Sequence, residues 1–208
     1  MLIIGAKGFA KELLITLIDN GVTGFVFFDD VSENSEKGIY NDYKVLKTEE
    51  EARDYFHNYD NRFLLGIARP EWRQKFTERF TALGGKLTSL ISVKATIGNH
   101  NSINEGCIVQ QAVIVEAYNK IGTGSLLNTG CFISHDVEIG NFCEIAPFAK
   151  LLGNVKIGNL CMLGAGCIIL PKITIGNNVK VGAGAVVTKN IADNTTVVGI
   201  PAVSKQDK

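Results

Sequence analysis

Several features that would assign a chain to a particular job are scarce or missing in this one. Lysine plus arginine and aspartate plus glutamate stand at 21 each, so no net field draws the protein toward nucleic acid or an anionic membrane, and neither is expected as a partner. The opening stretch MLIIGAKGFAKEL has no basic leader and no small-residue cleavage site, and no apolar run reaches membrane-spanning length. A cytoplasmic protein without membrane insertion is the expectation. The five cysteines are an odd number, which suits neither a disulfide framework nor a metal site. Histidine is scarcer still, with only His57, His100 and His135.

What the chain has in quantity is regularity. At 208 residues and 46% hydrophobic content it can bury a real core. From Ile91 it divides into seventeen consecutive sixes, each led by an aliphatic residue, from ISVKAT and IGNHNS through ISHDVE, LGAGCI and VGAGAV to VTKNIA. A period of six fits neither a helix nor the alternation of a flat strand; it is the pattern of a parallel β-helix in which each unit builds one side of a coil. Three sides close a coil, and a little under six coils make a prism roughly 27 Å tall at about 4.8 Å per coil. The fifth place of most units is small or aliphatic, and Cys107, Cys131, Cys143, Cys161 and Cys167 all fall on it. They read as small hydrophobes in an inward ladder, with no cation placed to lower a thiol pKa.

Before Ile91 the pattern changes. MLIIGAKGF reads as a buried strand entering a glycine turn, AKELLITLIDNG as a helix closed by Gly21, and GFVFFDD as a second strand. EEEARDYFHNY is a second helix, RFLLGIA a third strand and PEWRQKFTERFTALGG a third helix opened by Pro70. Alternation of this kind predicts a small parallel sheet in an α/β domain of half-Rossmann type over 1–88, followed by an all-β parallel β-helix over 89–208. Trp72, Phe76, Phe80 and Leu83 follow helical spacing and are expected to pack on that sheet. The junction, GGKLTS at 84–89, holds no long linker.

His135 and Asp136 take the third and fourth places of ISHDVE, at or near a corner, where side chains project outward. A neutral imidazole there suits removal of a proton from an amine near neutral pH, and Asp136 can accept from the other ring nitrogen and fix the tautomer. Gly153 lies one coil above His135, so its bare N–H is placed for a developing oxyanion. In the amino-terminal half, the loop residues Gly5, Lys7, Gly8, Phe9 and Lys11 stand between a strand and a helix, where amides and a helix end can approach a pyrophosphate. Asp29 and Asp30 end the second strand, as a ribose-binding acid would or as a turn cap would. Half a dinucleotide fold suits a single nucleotide better than NAD. In the upper coils, Gly164, Ala165, Gly182 and Ala183 offer amides for an extended chain, or serve tight corners.

The hexads, the GAKGFAKEL turn and the ISHD unit together resemble the sialic-acid and bacillosamine acetyltransferase group of the left-handed β-helix, hexapeptide-repeat acyltransferases, the perosamine N-acetyltransferases included. The likeness runs from GAKGFAKEL to VGIPA. It implies left-handed coiling, a homotrimer with sites between prisms, acetyl-CoA as co-substrate without a metal, and N-acetylation of a nucleotide-linked 4-amino-sugar for surface glycan synthesis. Alternatives are O-acetylation of a sialic-acid-type sugar and a non-catalytic nucleotide-sugar scaffold. The likeness makes His135 the base, Asp136 its assistant and Asn128 an active-site asparagine, and puts Arg73 near the nucleotide. It sets Pro201 against the CoA adenine and Lys205 facing a phosphate. Two positions depart from the pattern: Glu144 replaces a frequent second histidine near the acetyl group, and Phe148 replaces a common glycine. The γ-class carbonic anhydrases share the β-helix but need three zinc-binding histidines, where this prism has two.

Overall fold

The structure, a computed structural model, describes residues 1–32 and 39–205. Five parallel strands, β1 (Leu2–Ile4), β2 (Val26–Phe28), β3 (Val45–Leu46), β4 (Arg62–Leu65) and β5 (Lys86–Leu87), form the amino-terminal sheet in the order β3-β2-β1-β4-β5. Helices α1 (Gly8–Asp19), α2 (Ile39–Asp42), α3 (Glu49–Asn58) and α4 (Pro70–Ala82) connect them. β1 is buried along its whole length, as a parallel strand covered on both faces must be. A capping box sets the start of α3: Thr48 accepts from Glu51 N–H, and the Glu51 carboxylate answers the Thr48 N–H. β3 and β5 add to the three strands legible in the sequence; two residues each, they carry too little pattern to be seen alone.

One face of this sheet buries Phe56, Phe63 and Phe80. The other buries Ala10, Leu13 and Leu17 of α1, and the same apolar cluster continues into Leu90, Ile108 and Leu126 of the following prism. Each such fully buried leucine contributes about 1.5–3 kcal/mol, so the two parts are joined by core rather than by a tether. Polar links ring the junction: Thr16 Oγ1 bonds Gln110 Oε1, Asn20 bonds the Ile91 carbonyl at 2.7 Å, and Lys94 pairs with Asp19 at 2.7 Å. No helix among the described residues is long and apolar enough to cross a membrane.

The prism has three faces of short parallel strands. Face I carries Leu90–Ile91, Ile108–Val109, Leu126–Leu127, Glu144–Ile145, Met162–Leu163, Lys180–Val181 and Thr196–Val198; face II runs from Thr96–Ile97 to Val186–Val187, and face III from Ser102–Ile103 to Thr174–Ile175. As far as Lys180 and Val186, each strand pairs with the one eighteen residues on, as Leu126 does with Glu144 and Ile114 with Phe132. From Val109 to Val187 the first residue of each hexad is buried in the prism, and all five cysteines are fully buried.

The corners explain the period. The fourth residue of fifteen consecutive hexads, from His100 to Gly184, has positive φ, and ten of the fifteen are not glycine. A left-handed residue with a side chain costs roughly 1–2 kcal/mol, so the stacked coils impose the conformation. At the III/I corner, Thr123, Asn141, Asn159 and Asn177 donate their N–H to the side-chain oxygen of Asn141, Asn159, Asn177 and Asp193 respectively.

The last coil departs from the expected frame. Ile191 bridges Ile175 and Thr196 pairs with Lys180, sixteen residues on instead of eighteen. VTKNIA is therefore not a sixth-period unit: VTKN is shortened by two, and IADNTT resumes the frame with Asn194 in the left-handed fourth place at φ 57. The chain then turns through a hairpin that pairs Val198 with Val203.

Candidate active site

His135 and Asp136 sit at the II/III corner, and their side chains meet, with Nδ1 2.9 Å from Oδ2. Neighbouring side chains on an extended chain point to opposite faces. Here Asp136 has φ 56, which swings its carboxylate back toward the preceding ring. The corner is pinned by Asp136 N–H on the Ala117 carbonyl at 3.1 Å and Asn154 N–H on the His135 carbonyl at 3.0 Å. A carboxylate on Nδ1 holds the proton there and leaves the lone pair on Nε2. Both side chains are half exposed, at 55% and 53%, so Nε2 is open to a ligand.

Gly153 completes the corner. A Cβ on it would lie 2.7 Å from both Cε1 and Nε2 of His135; the ring rests against the bare backbone of the next coil. Among the described residues, Gly153 N–H takes no partner, whereas its carbonyl accepts from Lys172 N–H.

The I/II corner offers a second set of open amides. Ala165 and Ala183 are exposed, and among the described residues their N–H groups are unpartnered. Gly164 and Gly182 differ from the expectation. Their N–H groups are consumed by the Val181 and Val197 carbonyls. Their missing side chains serve packing: a Cβ on Gly164 would come within 2.6 Å of Ala183 N, and one on Gly182 within 2.8 Å of Val198. The closing hairpin lies above this corner, where Ala202 N–H reaches the Val186 carbonyl; Pro201 and Lys205 are exposed on it.

Asn128 is also at the I/II corner, 5% exposed, with Oδ1 accepting from Thr129 N–H. Within one chain the face II strand Phe132–Ile133 separates it from His135. Glu144 is on face I, in register with Leu126 and Met162, and so is not beside Gly153 in the same chain. Burial raises its carboxyl pKa, partly opposed by Arg73. Phe148, 63% exposed, covers Gly130 at the I/II corner.

In the amino-terminal domain a cavity of about 340 Å³ opens at the carboxyl ends of β1, β2 and β4, where parallel sheets take ligands. Gly5, Lys7, Phe9, Asp29 and Asp30 line it, together with Trp72 and Phe76; Gly8 and Lys11 do not. Gly5, at φ 102, lies so near the end of β4 that a Cβ would meet the Gly66 carbonyl at 2.9 Å. Lys7 makes no side-chain cap to α1, so among the described residues the first amides of that helix have no capping side chain at its N-cap. Asp29 caps the turn after β2, accepting from Val31 and Ser32 N–H at 3.0 Å. Asp30 pairs with Arg79 at 2.7 Å, and Arg79 also holds Glu49.

Phe76, Phe80 and Leu83 pack on the sheet as expected, and Trp72, 41% exposed, joins Phe76 in the cavity wall; their position just after the end of β4 is the available signal. One expectation is reversed: Arg73 does not line the cavity. It is fully buried between α4 and the prism, donating to the carbonyls of Gly124 at 2.6 Å, Ile67 at 2.7 Å, Leu65 at 3.2 Å and Gly106 at 3.4 Å. Burial pulls its pKa down to about 10, so it remains a cation at neutral pH. Three of the thiols stay protonated at that pH, since burial pushes Cys107 up to about 11 and Cys131 and Cys167 to about 12.

Comparison with known proteins fits this architecture at both ends. The PglD N-terminal domain family matches residues 1–80, and the bacterial transferase hexapeptide family, of six repeats, matches 136–169 and 154–189. The acetyltransferase domain of PglB from Neisseria gonorrhoeae is 31% identical with a TM-score of 0.87, covering 98% of both chains. A point mutant of perosamine N-acetyltransferase from Caulobacter crescentus, solved with CoA and GDP-perosamine, is 27% identical with a TM-score of 0.90, covering 99% of this chain and 96% of that one. GDP-perosamine N-acetyltransferase from Escherichia coli O157:H7 is 30% identical over 129 residues, 62% of this chain and 56% of that protein. The chain thus spans little more than half the length of that curated relative. These matches define the class, a left-handed β-helix transferase of hexapeptide repeats. Within it, the chain belongs to the sialic-acid and bacillosamine acetyltransferase group.

Proposed function

We propose that the protein transfers the acetyl group of acetyl-CoA to the amino group of a nucleotide-activated 4-amino-4,6-dideoxyhexose, as a cytoplasmic homotrimer serving surface glycan synthesis. The observation that carries this reading is the His135–Asp136 pair with its ring against the bare Cα of Gly153, whose N–H takes no partner among the described residues. The amine attacks the thioester carbonyl and passes a proton to Nε2. The charge that builds on the carbonyl oxygen is met by Gly153 N–H. As the carbon–sulfur bond breaks, the imidazolium returns the proton to the leaving thiolate, giving the amide and free CoA. Asp136 keeps the tautomer throughout.

A division in the site supports an oligomer. The base lies at the II/III corner and the open amides of Ala165 and Ala183 at the I/II corner, so one chain cannot bring them together but adjacent prisms can. Face II suits such contact better than face III: of its six outward residues Ile114, Phe132, Ile168 and Val186 are apolar and Thr96 and Lys150 are polar, while Ser102, Lys120, Glu138, Lys156 and Thr174 occupy the same places on face III. The nucleotide is assigned to the cavity at Gly5, Lys7, Asp29 and Asp30, with Trp72 and Phe76 as stacking surfaces.

The test is product mass spectrometry with acetyl-CoA and UDP-, dTDP- and GDP-linked 4-amino-4,6-dideoxyhexoses. An added acetyl group on nitrogen is expected, and His135→Ala should lower kcat by about 10²–10⁴. Acetylation on oxygen, or nucleotide-sugar binding without CoA binding, would replace this reading.

A further inference from the structure

Arg79, in the last turn of α4, does not line the cavity at the end of the sheet, but it touches three residues that do. Nη2 donates to Asp30 Oδ2 at 2.7 Å, and the guanidinium carbon stands 5.5 Å from the ring centre of Phe28 and 5.6 Å from that of Phe76. At that range the aromatic rings attract the cation. On its other side, Nε donates at 2.7 Å to Oε1 of Glu49, in the first turn of α3. A planar fork held at two nitrogens and packed on rings has few ways to turn.

The two acids after β2 are used differently. Asp29, 6% exposed, accepts from the Val31 and Ser32 N–H groups through Oδ1 and shapes the turn. Asp30, 27% exposed, gives Oδ2 to Arg79, while among the described residues its Oδ1 takes no hydrogen bond. A bare carboxylate in the wall would repel a diphosphate; with a guanidinium on it the repulsion is offset, and one fixed acceptor remains. A single acceptor suits a lone donor. Guanine's N1–H and N2–H₂ lie side by side and call for two oxygens, and the N3–H of uracil or thymine is flanked by carbonyl oxygens that a carboxylate repels. A ribose hydroxyl has neither drawback, and an acid just after the second parallel strand stands where nucleotide-binding sheets meet the ribose.

We propose that Arg79 is a positioning residue that holds Asp30 as the acceptor for the ribose 2′-hydroxyl, so that the cavity selects ribonucleotide-linked over 2′-deoxyribonucleotide-linked substrates. This rests on the assignment of the nucleotide to the cavity, and its test needs no turnover. Binding of UDP, dUDP, GDP and dGDP to the full chain is measured by calorimetry, and the ribo-to-deoxy affinity ratio is taken for the base that binds more tightly. Wild type should show a ratio of about ten, the worth of a hydrogen bond to a charged acceptor. Asp30→Ala, which leaves Arg79 its Glu49 partner, should bring the ratio to about one. Arg79→Met should lower it at least about threefold, Arg79→Lys should lie between Arg79→Met and wild type, and Glu49→Gln should keep the wild-type ratio. A merely structural loss weakens both members of a pair alike and leaves the ratio where it was. A wild-type ratio under about three, a wild-type ratio kept in Asp30→Ala, or a fall in Arg79→Met under about threefold overturns the proposal. Should Arg79→Met not fold, Arg79→Lys decides, with a fall of about twofold as its threshold. A wild type that binds no nucleoside diphosphate overturns the proposal together with the cavity assignment, whereas equal binding of a ribo–deoxy pair overturns it alone.

Discussion

Replacing Gly153 by alanine is the smallest change that separates the position of the imidazole from everything else in the corner. Alanine keeps the N–H, and Gly153 is outside the left-handed region, so its backbone accepts a side chain. The added methyl lands 2.7 Å from Cε1 and Nε2 of His135 and meets Nδ1 at 3.4 Å. Contacts that short do not persist. The ring has room to yield because it is 55% exposed, but in swinging outward it leaves both the Gly153 N–H and the 2.9 Å bond to Asp136. The loss in stability should be no more than about 1 kcal/mol, a shift of roughly 2–4 °C in Tm. The loss in kcat should approach that of removing a general base, about 10²–10³.

The assay follows release of the CoA thiol with a thiol reagent, for which the five buried cysteines give no background in the folded protein. In a His135→Ala background the same substitution has no ring to displace and should cost nothing further, so the double variant should match His135→Ala within about threefold. A Gly153→Ala enzyme within about threefold of wild type would show that chemistry does not depend on where this ring sits. A double variant about ten times slower than His135→Ala would show that Gly153 acts through something other than the imidazole.

Arg73→Met leaves four carbonyls without their cation and should cost about 3–5 kcal/mol in urea denaturation, with Arg73→Lys in between; a loss under about 1 kcal/mol would remove Arg73 as the tie between domain and prism. The buried thiols set an alkaline limit. Their ordinary pKa of 9.0 is raised in the fold to about 11 for Cys107 and about 12 for Cys131 and Cys167, so the folded state keeps protons that the unfolded chain gives up. Stability should be at its full value below pH 9 and fall as pH rises toward 11–12, by up to about 1.4 kcal/mol per pH unit per thiol; a urea midpoint unchanged between neutral pH and about pH 10 would contradict this. Finally, His135→Ala and Ala183→Trp, each inactive alone, should regain about a quarter of wild-type activity after subunit exchange at equal amounts, because random mixing joins two intact corners at one interface in four. No recovery from exchanged trimers would place the whole site in one chain.

The β-helix was legible because its physics repeats. Every hexad must send one aliphatic residue inward and one small residue to the fifth place, so Ile133, Val137 and Cys143 announce the frame however the corners vary. The frame was lost only at VTKNIA, which begins with an aliphatic residue and also contains one, Ile191; both frames satisfy the pattern, and the bridge to Ile175 decides between them. Helix α4 was legible only in part. Its aromatic stripe packs on the sheet, as such stripes do, but the helix also faces the prism, where it buries the cation Arg73 as completely as Phe80. Carbonyls at the ends of turns solvate that charge, and no sequence pattern displays carbonyls.

The site was harder to read than the fold because distance along this chain is a poor guide to distance in space. His135 and Gly153, eighteen residues apart, touch; Asn128 and His135, seven apart, stand on different corners. Counting by coils instead of residues divides the candidates into two sets, His135, Asp136 and Gly153 at one corner and Asn128, Ala165 and Ala183 at another. Neither set is sufficient for acyl transfer, since the first lacks a track for a long thioester and the second lacks a base. They lie at the two ends of face II, four of whose six outward residues are apolar, so the proposed contact between copies through that face would join the two sets that one chain holds apart.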